Sequence, residues 1–230
     1  MKKNTTIDLK PKLRVAIVED HLLIRKSMVM LINSFKDMQV VLDVDNGLSF
    51  LEQIKSCPVD VALLDIQMPK MNGYEACKHL LKLYPNIKVL IVSQLTTKQS
   101  IHKIMEIGAH GYFTKNSAPE QLETAIRCLY DNGYYFGSEL GSVLREAILW
   151  NKKNVKERII PENKLTDREL QIISMMCKEM TSHEISAQLF ISIRSVDAHR
   201  RSIMEKTYSQ NVIGVVLYVL KRGLVSLEEL

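Results

Sequence analysis

Short runs rich in Val, Ile and Leu alternate with amphipathic segments through the first half of the chain. This alternation limits the fold more than any other feature. The runs are LRVAIVE, MQVVLDV, VDVALLD and IKVLIVS, followed by a weaker fifth, HGYFTK, assigned by its place in the series. Runs that lack regular polar alternation suit strands buried on both faces. Helical patterns lie between them, near residues 21–35, 48–56, 73–84, 97–107 and 119–132. Strand and helix in strict turn predict a parallel sheet covered by helices on both sides.

After Gly133 the strands are expected to stop. SELGSVLREAILW has a helical pattern and NKKNVKERIIPENK is polar enough for a connection. From Leu165 the pattern is helical throughout. TDRE (Thr166 to Glu169) is a capping box that starts the first helix, and further helices are expected near 182–189, 193–206 and 211–222. The 230 residues therefore divide into an α/β domain (12–133), a linker with a helix (134–164) and a small all-α domain of four helices (165–228).

Composition excludes several classes. Cys57, Cys77, Cys128 and Cys177 form no CxxC pair, so they read as reduced thiols and not as a disulfide frame or zinc site. The first twenty residues hold no apolar signal core, and VIGVVLYVL is too short to span a bilayer. A cytoplasmic protein without membrane contact is expected. The net charge is +5, with 17 basic and 14 acidic residues through Gly137 and 14 and 12 after it. Bulk charge thus assigns no nucleic acid to either half, and local pattern must decide.

In an open α/β sheet, sites form at the carboxyl ends of the strands. Those ends carry Glu19 and Asp20, then Asp65, Ser93 and Lys115. Three carboxylates in one pocket repel unless a cation compensates. Hard oxygen donors suit Mg²⁺, and a metal with the Lys115 ammonium would stabilise a phosphoryl group in transit. Asp65 then has the chemistry of a nucleophile that forms an aspartyl phosphate. Taken alone, Asp65 would be an ordinary turn residue, Lys115 a solvated lysine, Ser93 a loop cap and Tyr112 a half-buried tyrosine. The set, in order and at strand ends, outweighs those readings.

The acidic pair, DIQMPKMNG, the Ser after the fourth strand and GYFTK together resemble the receiver domain of two-component response regulators, over roughly residues 12–133. The resemblance implies a flavodoxin-like sheet of five parallel strands in the order 2-1-3-4-5. It implies that Asp65 is the phosphoacceptor, and that Asp20, Asp65 and the backbone carbonyl of Gln67 hold Mg²⁺ with Glu19 acting through water. Ser93 and Lys115 would bind phosphoryl oxygens. Tyr112 would swing inward when the serine is engaged. Pro69 and Gly73 would shape the following loop, Gly73 by a backbone conformation other residues avoid. Gln94 departs from the small residue usual after the serine, which bears on phosphate lifetime.

LTDRELQIISMMCKEMTSHEISAQLFISIRSVDAHRRSIMEKT resembles the helix-turn-helix domain of the NarL/FixJ (LuxR-type) regulators. Over 192–206, Ile193, Val196 and Ile203, with His199 and Arg200, lie on a face to be buried. Arg194, Asp197, Ala198 and Arg201 lie on the opposite face, which suits a major groove. Ser192 is an N-cap at that end. By the family pattern, Asp197, Ala198 and Arg201 are the base-edge readers. Arg194 and Ser195 also belong to the DNA-facing set, and Arg200, His199, Lys206 and Ser182 are phosphate or packing residues. Asp197 stands where many relatives carry Lys, and Glu179 replaces a usual Gly. A homodimer is expected on promoter DNA. Val212, Val215, Val216, Val219 and Leu220 are either part of its surface or the closure of the domain core.

The resulting expectation is a DNA-binding regulator, not an enzyme, switched by a partner histidine kinase at Asp65. A phosphatase-like Mg²⁺ site is disfavoured because no substrate-binding insertion is present. The alternative is a receiver-containing interaction regulator that acts without phosphorylation or without specific DNA binding. Asp197 is the residue that favours it.

Overall fold

The computed structural model describes residues 11–94, 100, 103–104, 106–136, 165–178, 180–209, 211–222 and 224. The expected linker helix and connection, Glu179, and most of the helical segment near 97–107 lie outside these residues.

In the first domain β1 (Leu13–Val18), α1 (Leu22–Ser34), β2 (Met38–Val44), α2 (Gly47–Gln53), β3 (Val61–Asp65), α3 (Gly73–Leu83), β4 (Lys88–Ser93), β5 (Gly111–Thr114) and α4 (Pro119–Asn132) follow in turn. All described strand pairs are parallel, in the order β2-β1-β3-β4-β5. The period-2 pleat sends successive side chains to opposite faces. Val61 and Leu63 of β3 join the core cluster that includes Ile32 of α1 with Ile126 and Leu129 of α4. Ala62 and Leu64 join the cluster with Phe50, Ala76 and Leu80 of α2 and α3. Every β3 residue is buried, which is why its run shows no polar alternation.

The strands do not stop at Gly133. This residue adopts φ +84 as the C-cap of α4, and β6 (Tyr135–Phe136) then pairs in parallel with β5 as a sixth strand. The left-handed turn, natural to glycine, aims two further residues along the open sheet edge. A two-residue strand carries no period for the sequence to reveal.

The second domain contains α5 (Asp167–Cys177), α6 (Ser182–Leu189), α7 (Ile193–Lys206) and α8 (Val212–Lys221). The Thr166–Glu169 capping box forms as expected, and a second joins Thr181 to Glu184. Val196 and Ile203 are fully buried, but Ile193, in the first turn of α7, is 43% exposed, against the expectation that it packs inward. Val212, Val215, Val216 and Val219 are buried in the domain's own core. These four valines close the domain core. The Leu220 side chain lies outside the described set.

The two domains touch directly. Tyr134 packs against the core of the second domain, and its hydroxyl donates to the Met176 carbonyl at 2.7 Å. Asn211 Nδ2 donates to the Ala109 carbonyl at 2.9 Å, and Arg200 Nη2 donates to the Asn132 carbonyl at 2.5 Å.

Candidate functional site

The carboxyl ends of β1 and β3 and the residue after β5 converge on one pocket. Lys115 Nζ lies 2.6 Å from Glu19 Oε2 and 3.0 Å from Asp65 Oδ2. Glu19 and Asp65 are nearly inaccessible, at 1% and 5% exposure, so this lysine is the cation that makes their burial tolerable. The Ile66 amide donates to Asp65 Oδ1 at 2.7 Å, fixing the carboxylate rotamer. Ser93 is buried at the end of β4, and its carbonyl accepts from the Lys115 amide at 3.0 Å, which ties β4 to the lysine-bearing turn. Gln67 is exposed two residues after Asp65, and Gln94 is exposed beside Ser93.

Carboxylate and imidazole ligand atoms of Glu19, Asp20, His21 and Asp65 all lie within 4.8 Å of one another. One lysine does not balance three carboxylates. Asp20 Oδ1 is buried without a hydrogen-bond donor; His21 Nδ1 lies 2.8 Å away in ion-pair range. A buried acid oxygen lacking a donor suits a hard divalent cation, so the residues present fit Mg²⁺. His21 was not foreseen. Its place directly after the acidic pair was the available signal.

The loop after Asp65 differs from expectation. Lys70 takes the left-handed conformation at φ 65, and Gly73 does not. Glycine is required at 73 for space: a Cβ there would lie 2.0 Å from the Asp65 carbonyl oxygen. The Gly73 amide donates to the Ile66 carbonyl, so the start of α3 is drawn onto the end of β3. Tyr112 is already inside, 4% exposed and packed with Ile104 and Ala109.

In the second domain the face of α7 bearing Arg194, Asp197, Ala198 and Arg201 is exposed. Ser192 caps the helix by accepting from the Ser195 amide, leaving Ser195 half-buried, as is His199. Arg200 and Ser182 are buried, at 9% and 8% exposure. Lys206 is held by Glu169, with Nζ 2.8 and 2.9 Å from its two oxygens. Glu169 also accepts from Ser202 Oγ at 2.7 Å and from the Thr166 amide at 2.7 Å. Burial alone would raise the Glu169 pKa, but these donors, Lys206 foremost, hold it at about 2. The exposed stripe is therefore intact, whereas Lys206, Arg200 and Ser182 are engaged within the protein.

Among the described residues no helix is long and apolar enough to cross a membrane. The four cysteines are free, and burial pushes the Cys77 thiol up to about 12.

Comparison with known proteins agrees with this anatomy. Residues 15–127 match the response regulator receiver domain family. Residues 163–219 match the bacterial regulatory proteins of the luxR family. The oxygen regulatory protein NreC of Staphylococcus aureus is 29% identical over 214 residues, covering 92% of this chain and 99% of its own. The RcsB response regulator of Salmonella typhimurium superposes with a TM-score of 0.55 at 17% identity, over 91% of this chain and 98% of that one. A LuxR-family two-component response regulator from Aurantimonas sp. SI85-9A1 gives 0.56 at 24% identity, over 60% and 99%. With a receiver module and a LuxR-type helix-turn-helix module in this order, the chain belongs to the NarL/FixJ-type response regulators, transcription factors of two-component systems and not enzymes.

Proposed function

We propose that this regulator is switched by phosphorylation of Asp65 and, once phosphorylated, dimerises and binds promoter DNA in the cytoplasm. The observation that carries the reading is the grouping of Asp65, Glu19 and Lys115 at the strand ends in a chain that also presents an exposed basic helix face. A partner histidine kinase supplies the phosphoryl group. An Asp65 oxygen forms the new bond to phosphorus as the bond to the kinase imidazole breaks. Asp65 Oδ1 is steadied by the Ile66 amide, and Lys115 is close enough to pair with a phosphoryl oxygen. Ser93, buried at the end of β4, would bond another. Glu19, Asp20 and Asp65, with the carbonyl of Gln67, would hold Mg²⁺, which supplies charge neutralisation for the transfer.

For the output, Ala198 between Arg194 and Arg201 gives the major groove a small residue flanked by two cations. RcsB is described in complex with DNA, and as two dimers bound to two parallel DNAs; a DNA-bound dimer is carried to this chain as part of the proposal. Asp197, exposed within the stripe, favours the second reading, an interaction regulator without specific DNA binding. Salt-dependent duplex binding that is lost in Arg201→Ala excludes that reading. The switch itself is tested by light scattering of wild type and Asp65→Asn with Mg²⁺ and beryllofluoride. Wild type alone should gain dimer mass; equal masses in both proteins would remove Asp65 as the trigger of dimerisation.

A further inference from the structure

The corner where the domains meet brings together charges that the pocket does not use. Arg200 Nη2 donates to the Asn132 carbonyl on the receiver, and Arg200 Nη1 donates to Ser182 Oγ at 2.7 Å. Ser182 in turn donates to Asp197 Oδ1 at 2.9 Å. A methyl group built on Gly133 would sit 3.5 Å from Arg200 Nη2 and 3.8 Å from Lys88 Nζ. The two cations are therefore no farther apart than those two lengths together, inside a Debye length of about 8 Å. Burial and the field of Arg200 hold the Lys88 pKa below its usual value, with Asp197 opposing. His110 beside Lys88 adds no charge at neutral pH, because burial pushes its imidazole down to about 3. The helix that faces DNA thus meets the receiver at a corner with two cations and one acid.

We propose that Asp197 is a positioning residue for the docked form: its carboxylate is the counter-charge that lets Arg200 seat beside Lys88, and it is not a reader of base edges. The proposal rests on the reading of α7 as the DNA-facing helix. It accounts for an acid on a helix otherwise suited to phosphate-rich surroundings. Arg200 is buried and donates to a receiver carbonyl in the docked form, so its use on DNA requires release from the receiver. The acid sets how readily that release occurs. Without it, Arg200 and Lys88 face each other uncompensated and the second domain leaves the corner.

The test is a cycle of full-length wild type, Asp197→Asn, Lys88→Met and the double variant. Small-angle X-ray scattering without DNA reads the domain arrangement. Binding to a mixed-sequence duplex at one salt concentration reads the output. Lys88 lies on the receiver, so its substitution changes DNA affinity only through docking. Asp197→Asn should enlarge the particle and tighten DNA binding by roughly two- to fivefold, the scale of one solvent-exposed charge pair. Most of that gain should vanish in the Lys88→Met background. An equal gain in both backgrounds, with scattering unchanged, would mean Asp197 acts on DNA directly and would overturn the proposal. Weaker binding in Asp197→Asn, with unchanged scattering, would do the same by making it a reader. If no variant binds DNA but the scattering follows the cycle, the docking role stands and the DNA-binding reading fails.

Discussion

Neutralising Glu169 should loosen the second domain at the joint between α5 and α7. The carboxylate is 2% exposed and accepts from Lys206, Ser202 and the Thr166 amide. Its pKa is held at about 2 against an ordinary 4.5. A tenfold change in proton affinity is worth about 1.4 kcal/mol, so ionised Glu169 contributes roughly 3 kcal/mol. That is a large part of the roughly 5 kcal/mol typical of a domain this small. The folded value lies below the unfolded one, so the contribution is complete above about pH 4.5 and fades as pH falls toward 2. Glu169→Gln keeps the shape and the cap but loses the charge-assisted bonds. Hydrogen exchange by mass spectrometry, resolved to α5 and α7, should show a loss of about 2–3 kcal/mol at pH 7 in the variant. The difference between variant and wild type should shrink below about pH 4.5. A loss under about 1 kcal/mol, or a difference that does not depend on pH, would refute the argument that Glu169 is stabilised as an anion.

Other outcomes follow from the same geometry. Gly73→Ala places a methyl against the Asp65 carbonyl and should lower receiver stability by about 3 kcal/mol, the upper range for overpacking, measured by urea denaturation of the full chain; a change under about 1 kcal/mol would show that the loop shifts freely. Lys115→Met removes the cation between Glu19 and Asp65; phosphotransfer to Asp65 should fall by roughly 100-fold or more, and a rate near wild type would free Lys115 of any role. Native Cys77 should resist thiol labelling at about pH 8, because burial holds it near 12, and should react only after denaturation. Arg201→Ala should weaken specific duplex binding by about 1–3 kcal/mol; unchanged affinity would remove Arg201 from the reading face.

Long-period features were legible in the sequence, and features made by distant approach were not. The β3 run announced itself because Val61 to Asp65 are buried on both faces. The pocket was legible because parallel strands carry their ends to one edge, so Asp65, Glu19 and Lys115 could be grouped from chain order alone. The Gly73 requirement was misplaced: sequence suggests a special φ, but the cause is the close approach of the Asp65 carbonyl. Ile193 fits the apolar period yet lies in the first turn, where the helix has not reached the core. The apolar wealth of α8 looked excessive because its valines fill space left by α5 and α7, which a count along the chain cannot measure. Arg200 and Lys88 are more than a hundred positions apart, and nothing local marks them as neighbours.

The most direct test of the account is DNA affinity with and without activation. Wild type and Asp65→Asn would be titrated onto promoter fragments selected from a genomic pool, each with Mg²⁺ alone and with Mg²⁺ plus beryllofluoride. The account predicts that beryllofluoride tightens binding of wild type and leaves Asp65→Asn unchanged. Tightening in both proteins, or in neither while wild type still binds specifically, would contradict a switch that acts through Asp65.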